Sequence, residues 1–172
     1  MPTSPAVTRG GAEDPIFGRE RELARLDELV DGVRERGGAL LVRGEAGIGK
    51  STLLTAASLR AETAGMRVLR TTGVQSEAEL PFAGLHQLLL PELGKVDTLP
   101  APQRNALLAA FGMTEEGAPD RFLIALAVLE LLSEVGERAP LLVVADDAHW
   151  LDRSTVEVLA FVSRRISDPL FQ

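Results

Sequence analysis

Residues 44–51 read Gly44-Glu45-Ala46-Gly47-Ile48-Gly49-Lys50-Ser51, the pattern G-x-x-x-x-G-K-S. Glycines at 44, 47 and 49 let the backbone wind tightly and turn its N–H groups inward. Such N–H groups form a concave nest for phosphate oxygens. A helix that follows aims its positive N-terminal end at the same spot. In this pattern Lys50 reaches the β- and γ-phosphates as a point charge, and the Ser51 hydroxyl holds Mg²⁺.

The flanking residues supply the context the pattern needs. Before it, Ala39-Leu40-Leu41-Val42-Arg43 is a short apolar run of buried-strand type. After it, Leu53, Leu54, Ala57 and Ala61 fall on one helical face, and Gly65 suits the C′ position. The alternative is a glycine-rich turn with a chance Lys-Ser, and strand, glycine loop and helix in succession argue against it.

Composition sets the outer bounds. The chain has 172 residues, 45% apolar and 25% charged, with net charge −7 and no cysteine. That length suffices for one domain with a core. Without cysteine there is no disulfide framework, thiolate metal site or thiol nucleophile, which fits a cytoplasmic location. An acidic chain without a basic stripe argues against direct DNA binding by this segment. Met1 to Asp14 lacks the apolar core of a signal peptide. The longest apolar stretch, Leu123 to Leu132, is broken by Glu130 and too short for a membrane span.

Residues 1–14, rich in Pro, Thr, Ser and Gly, read as a disordered tail before one domain over 15–172. Leu23, Leu26, Leu29, Val30 and Val33 share a face of a first amphipathic helix that Gly37-Gly38 ends. Met66 to Thr71 reads as a strand, Gly73 to Leu80 as a loop, and Pro81 to Leu90 as a helix. Leu99 to Pro102 is a linker before a short helix from Asn105 to Phe111. A long apolar helix then runs from Asp120 through Phe122, Leu123, Leu126, Leu129 and Leu132 to about Gly136, apolar on several faces and so expected to be deeply buried.

Pro140 to Asp147 is the second chemical element: an apolar strand ending in Asp146-Asp147. A strand of this kind delivers a carboxylate to the C-terminal edge of a parallel sheet, where α/β folds place ligands. Asp146 would hold Mg²⁺ through water, and Asp147 could orient or deprotonate an attacking water. The bland reading is a strand end capped by acidic turn residues. A phosphate-binding loop upstream in the same chain favours the sharper one. Ser154-Thr155-Val156-Glu157 reads as a capping box opening a last helix to about Arg165.

Four segments together resemble the ATPase domain of the signal-transduction ATPases with numerous domains, the STAND class, and most of all the LuxR-type large ATP-binding regulators. They are Phe17-Gly18-Arg19-Glu20, the phosphate-binding loop, Ser76 to Leu88 (SEAELPFAGLHQL), and Asp146 to Asp152 (DDAHWLD). The resemblance implies an α/β, three-layer P-loop NTPase fold of the AAA-like, additional-strand type with a parallel sheet. It implies ATP or ADP with Mg²⁺ as ligands, slow hydrolysis, and a regulatory role in signalling or transcription. On this analogy Phe17 and Arg19 border the adenine pocket, and Gly44, Glu45, Ala46, Gly47, Ile48, Gly49, Lys50, Ser51 and Thr52 hold the phosphates. Ser51 and Asp146 serve the metal; Lys50 and Asp147 serve catalysis.

The class orders its strands 5-1-4-3-2, with the P-loop strand first and the Walker B strand third. Here strand five, the sensor residues and the nucleotide-closing lid have no counterpart, and strand four is only the stub Asp168 to Gln172. The expectation is therefore an incomplete domain whose first strand lacks backbone partners. Self-association or contact with other regulator domains is expected, and membrane contact is not. His149 and Trp150 read as packing residues, and Arg164-Arg165 as cations that complement a helix end rather than an arginine finger. Two other readings stand beside this one. One is a catalytically inactive remnant or interaction segment. The other is a small-molecule kinase, for which no acceptor-site motif stands out.

Overall fold

The computed structural model describes residues 19–33, 40, 42–43, 45, 47–114 and 120–166. Its frame is a parallel pair of strands, β1 (Arg67–Thr72) and β2 (Leu141–Asp146), in register from Arg67 opposite Leu141 to Thr72 opposite Asp146. Side chains alternate across such strands, and the two faces take different partners. Val68 and Leu142 face α1 (Glu20–Gly32) and α2 (Lys50–Thr63), joining Val30, Ala61 and Met66. Leu69, Leu141 and Val143 face the opposite way, into the main core.

That core is built by α3 (Ala83–Leu89), α4 (Ala101–Ala110), α5 (Arg121–Arg138) and α6 (Arg153–Ile166). Leu85, Leu107, Ile124, Val128 and Leu131 are fully buried there. Each such side chain contributes about 1.5–3 kcal/mol of transfer free energy. Helices on both faces of a parallel sheet make the three-layer α/β architecture of a P-loop NTPase. Within it, β1 and β2 are the second and third strands of the expected order, and they are neighbours as that order requires.

The helix boundaries have local causes. Residues 61–66 close α2 with a Schellman turn: Met66 N–H donates to the Ala61 carbonyl at 2.9 Å and Gly65 N–H to that of Glu62 at 3.0 Å, with Gly65 at φ +79°. Asp120 caps α5, its carboxylate accepting from Phe122 N–H at 2.8 Å and Leu123 N–H at 3.1 Å. Between α3 and α4 the chain makes a 3₁₀ stretch, Leu90–Thr98, of which the sequence assigns only Leu90, to the preceding helix. It is tied to the start of β1 by a buried Glu92, which accepts from Arg67 Nε at 2.9 Å and pairs with Lys95.

Two expectations change. The long helix is buried, but its buried stripe is Ile124, Ala125, Ala127, Val128, Leu131, Leu132 and Val135; Phe122 stays 58% exposed. Residues 40, 42 and 43 lie in no strand, with Val42 half-buried against Leu23, Leu26, Leu53 and Ala57, while 39 and 41 fall outside the described residues. In the expected order strand four separates the P-loop strand from the Walker B strand, and its stub, 168–172, also lies outside the described residues. So do the tail and Gly37-Gly38. No described helix is long and apolar enough to cross a membrane.

Candidate functional site

The element carrying Lys50 and Ser51 packs on the strand pair whose β2 ends in Asp146. α2 packs against both strands, and only residues 64–66 join its C-terminus to the start of β1. The last turn of α2 is thus fixed beside the N-terminal ends of the strands. A helix of 14 residues spans about 21 Å at 1.5 Å per residue. A six-residue strand spans about 20 Å. Lys50 and Ser51, at the N-terminus of α2, are at the other end of that helix from this junction.

The loop before α2 turns on two left-handed glycines. Gly47 and Gly49 adopt φ +78° and +85°, which an L side chain resists. A Cβ at either would meet nothing within 4 Å, so both border open space. Gly49 is the N-cap of α2 and gives no side-chain acceptor to the first N–H groups of the helix. Ser51 and Thr52 are exposed in its first turn. The Lys50 ammonium folds back to the Glu45 carbonyl at 2.9 Å, and Ile48 N–H approaches the same oxygen at 3.4 Å.

Arg19 joins this loop from a distance of 29 residues, its guanidinium donating to the Ile48 carbonyl. Its other arm lies 3.8 Å from Glu22. Phe17, Gly44 and Ala46 lie outside the described residues.

At the end of β2 the Asp146 carboxylate accepts the N–H of Asp147 at 2.8 Å, and its carbonyl accepts Gly73 N–H at 2.9 Å. Asp147 takes a left-handed conformation, φ +45°, that few non-glycine residues adopt. It is exposed, and its carbonyl accepts Trp150 N–H at 2.8 Å in a short 3₁₀ turn over 148–150. Gly73 is pressed against this turn. A Cβ there would lie 2.2 Å from the Asp147 carbonyl oxygen and 2.7 Å from Leu151 N.

A buried polar network holds the same junction from below. The Asp152 carboxylate, 3% exposed, accepts N–H groups from Phe82 at 2.8 Å, Gly84 at 3.1 Å and Thr155 at 2.9 Å, and the Thr155 hydroxyl at 2.6 Å. Thr155 Oγ1 in turn accepts Leu85 N–H at 2.9 Å. The Thr71 hydroxyl sits 2.9 Å from the Gly84 carbonyl and 2.8 Å from Gln87 Oε1. Two of the segments singled out in the sequence, 76–88 and 146–152, are thereby clamped to one another.

Sequence reasoning reads Asp152 as a loop or cap residue near the helix start, and it is the cap; that reading misses its links to 82 and 84. The capping box read at Ser154 is not formed: Ser154 is buried inside the first turn of α6. The signal for the cap is Asp-x-x-Thr at 152–155, an N-cap pattern in its own right. Trp150, read as a packing residue, is 36% exposed, its ring tilted against His149 at 5.0 Å.

These groups fit a Mg²⁺ nucleotide. The N-terminus of α2, an ammonium and a hydroxyl suit phosphate oxygens, and carboxylates at the strand end suit a hydrated hard cation. Among the described residues no three His, Cys, Asp or Glu side chains cluster to hold a metal. Mg²⁺ typically takes one or two protein ligands and completes its shell with phosphates and water, so the sparse set is compatible with it.

Among curated proteins, the chain is 28% identical over 183 residues to the uncharacterized protein R02095 of Rhizobium meliloti (strain 1021), covering 89% of this chain and 17% of that protein. It is 40% identical over 58 residues to the DNA repair protein RadA of Brucella abortus (strain 2308), covering 34% of this chain and 12% of that protein. The chain thus spans a small part of the length of the curated relatives it matches. No solved structure matches it. The family model of the AAA ATPase domain matches residues 15–171, and with that match the chain belongs to the AAA ATPase domain family.

Proposed function

We propose that residues 15–172 are a nucleotide-switched regulatory ATPase domain, of the STAND and LuxR-type regulator kind, that binds Mg·ATP or Mg·ADP in the cytoplasm and hydrolyses ATP slowly. What supports this most is the G-x-x-x-x-G-K-S loop at the N-terminus of α2, with Gly47 and Gly49 in left-handed conformations, in a chain of the AAA ATPase domain family whose β2 ends at Asp146. Lys50, released from the Glu45 carbonyl, neutralises phosphate charge. The Ser51 hydroxyl and the Asp146 carboxylate would hold Mg²⁺, which when bound supplies charge neutralisation between the phosphates. Asp147 orients the attacking water or takes its proton. Arg19, fastened to the loop at Ile48, supports the nucleotide from the N-terminal side. Self-association or docking to further domains would carry the signal.

The test is equilibrium binding of a fluorescent ATP analogue to the parent chain and to Lys50→Ala. Loss of binding in the variant supports the site; equal affinity overturns it.

A second reading is an interaction segment without turnover. It is favoured by the described residues 40, 42 and 43, which lie in no strand. Phosphate release from ATP that disappears with Lys50→Ala excludes it.

A further inference from the structure

Away from the phosphate site, α5 and α6 leave a cleft of about 140 Å³ between them. Phe82, which is buried, lines it. Phe122 and Phe161 wall one side, edge to face with centroids 6.1 Å apart. Phe122 is 58% exposed, more than a phenyl ring in a monomer core is left. An apolar cavity of about 150 Å³ accepts a benzene-sized group, so this one accommodates a single leucine or phenylalanine side chain.

The rim of the cleft is basic, although the chain as a whole carries −7. Arg121 and Arg164 line it against one carboxylate, Glu157. That carboxylate is already shared between Arg121 at 2.9 Å and Arg153 at 2.8 Å. Arg165 lies over the Phe161 ring, 3.4 Å from its centroid. Arg121 and Arg164 thus line the cleft, while Arg153, on Glu157, and Arg165, on Phe161, adjoin that lining. Arginine and aromatic side chains together are the composition of interface hot spots.

We propose that this cleft docks an acidic peptide segment of a partner protein, with one bulky apolar side chain of that segment seated between Phe122, Phe161 and Phe82. The pocket selects the anchor by size. The arginine rim selects carboxylates on either side of the anchor and steers the encounter. Neither feature depends on nucleotide, so the site can be occupied whatever happens at Lys50.

The test uses the whole chain and a fluorescein-labelled peptide of Asp, Glu and Ser with one central Phe, followed by anisotropy. Controls are the same peptide with Ala for Phe and a peptide with Lys for each acidic residue. Phe122 and Arg164 are exposed, so Phe122→Ala and Arg164→Glu leave the core intact; unchanged melting temperatures verify this. The expected result is binding of the acidic Phe peptide, weakened roughly tenfold or more by either protein change and by either peptide change, and weakened by added salt. Equal binding by parent and variants, or no binding by the parent, overturns the proposal. Saturation of the cleft by free phenylacetate with the affinity of the peptide also overturns it, in favour of a small-molecule site. Self-association abolished by Phe122→Ala would overturn it in favour of a second copy of this chain.

Discussion

The Asp152 carboxylate accepts the backbone N–H of Gly84 across 68 residues of sequence, at 3.1 Å and out of contact with solvent. With the Phe82 N–H on its other oxygen, this carboxylate fastens the start of α3 to the start of α6. It does so six residues after the acidic end of β2. The turn that carries Asp146 and Asp147 is therefore held from both sides, by Gly73 above and Asp152 below.

Removing that carboxylate leaves buried N–H groups without an acceptor. Each such orphan costs about 1–3 kcal/mol. Asp152→Ala is expected to destabilise the chain by roughly 3–5 kcal/mol, lowering the melting temperature by on the order of 10 °C. Asp152→Asn, which keeps one acceptor oxygen, falls between. Circular dichroism melts measure both. A surface change such as Glu79→Ala is the control and should leave the melt unmoved.

Gly73 tests the other side of the turn. A methyl group there meets the Asp147 carbonyl oxygen at 2.2 Å, and backbone atoms cannot yield as a flexible side chain would. Gly73→Ala is expected to cost about 2 kcal/mol or more and to shift the Asp147 turn. Nucleotide affinity should fall with it while Lys50 and Ser51 are untouched. A competition assay against a fluorescent nucleotide gives the affinity.

Glu92 sets a dependence on acid. Burial pushes its carboxyl up, but hydrogen bonds from Lys95 and Arg67 and their charges outweigh burial and hold it below the ordinary 4.5. A group whose value is lowered by folding binds its proton more weakly in the native chain than in the unfolded one. Its stabilisation is therefore whole above about 4.5 and is lost as pH falls through the lower native value. Glu92→Gln should cost about 1–2 kcal/mol at neutral pH and lose this part of the acid sensitivity. Urea unfolding at about pH 7 and about pH 3.5, with parent and variant, checks it.

The single tryptophan offers a direct reporter of the site. The Trp150 backbone N–H donates to the Asp147 carbonyl, and the residue is 36% exposed beside His149. Mg·ATP binding at Asp146 and Asp147 should change its emission. The change should vanish in Lys50→Ala. Fluorescence titration of both proteins measures it.

Much of this arrangement is legible in the sequence because its signals are local. The turn after α2 needs a left-handed residue, and Gly65 declares it. The apolar run ending in Asp146-Asp147 declares the strand that is found at Leu141–Asp146. The long helix is legible as an element but not as a face: it is apolar nearly all round, so periodicity does not choose a stripe. Phe122 therefore looks like a core residue until the Asp120 cap places it at the exposed first turn. The Leu90–Thr98 stretch is obscured by Pro91 and Gly94, and what stabilises it is Glu92 reaching Arg67, 25 residues away. The Asp152 clamp was out of reach for the same reason. Its partners at 82 and 84 are distant in sequence, and no local pattern announces a carboxylate that serves two segments at once.

The decisive measurement is thermal unfolding of the chain with and without Mg·ADP or Mg·ATP, beside Lys50→Ala. Ligand at a hundred times its Kd stabilises a folded site by about 2.7 kcal/mol, a shift of several degrees. A working nucleotide site predicts that upward shift in the parent and its loss in Lys50→Ala. A cooperative melt that neither nucleotide moves, or one moved equally in parent and variant, would contradict a nucleotide site at Lys50.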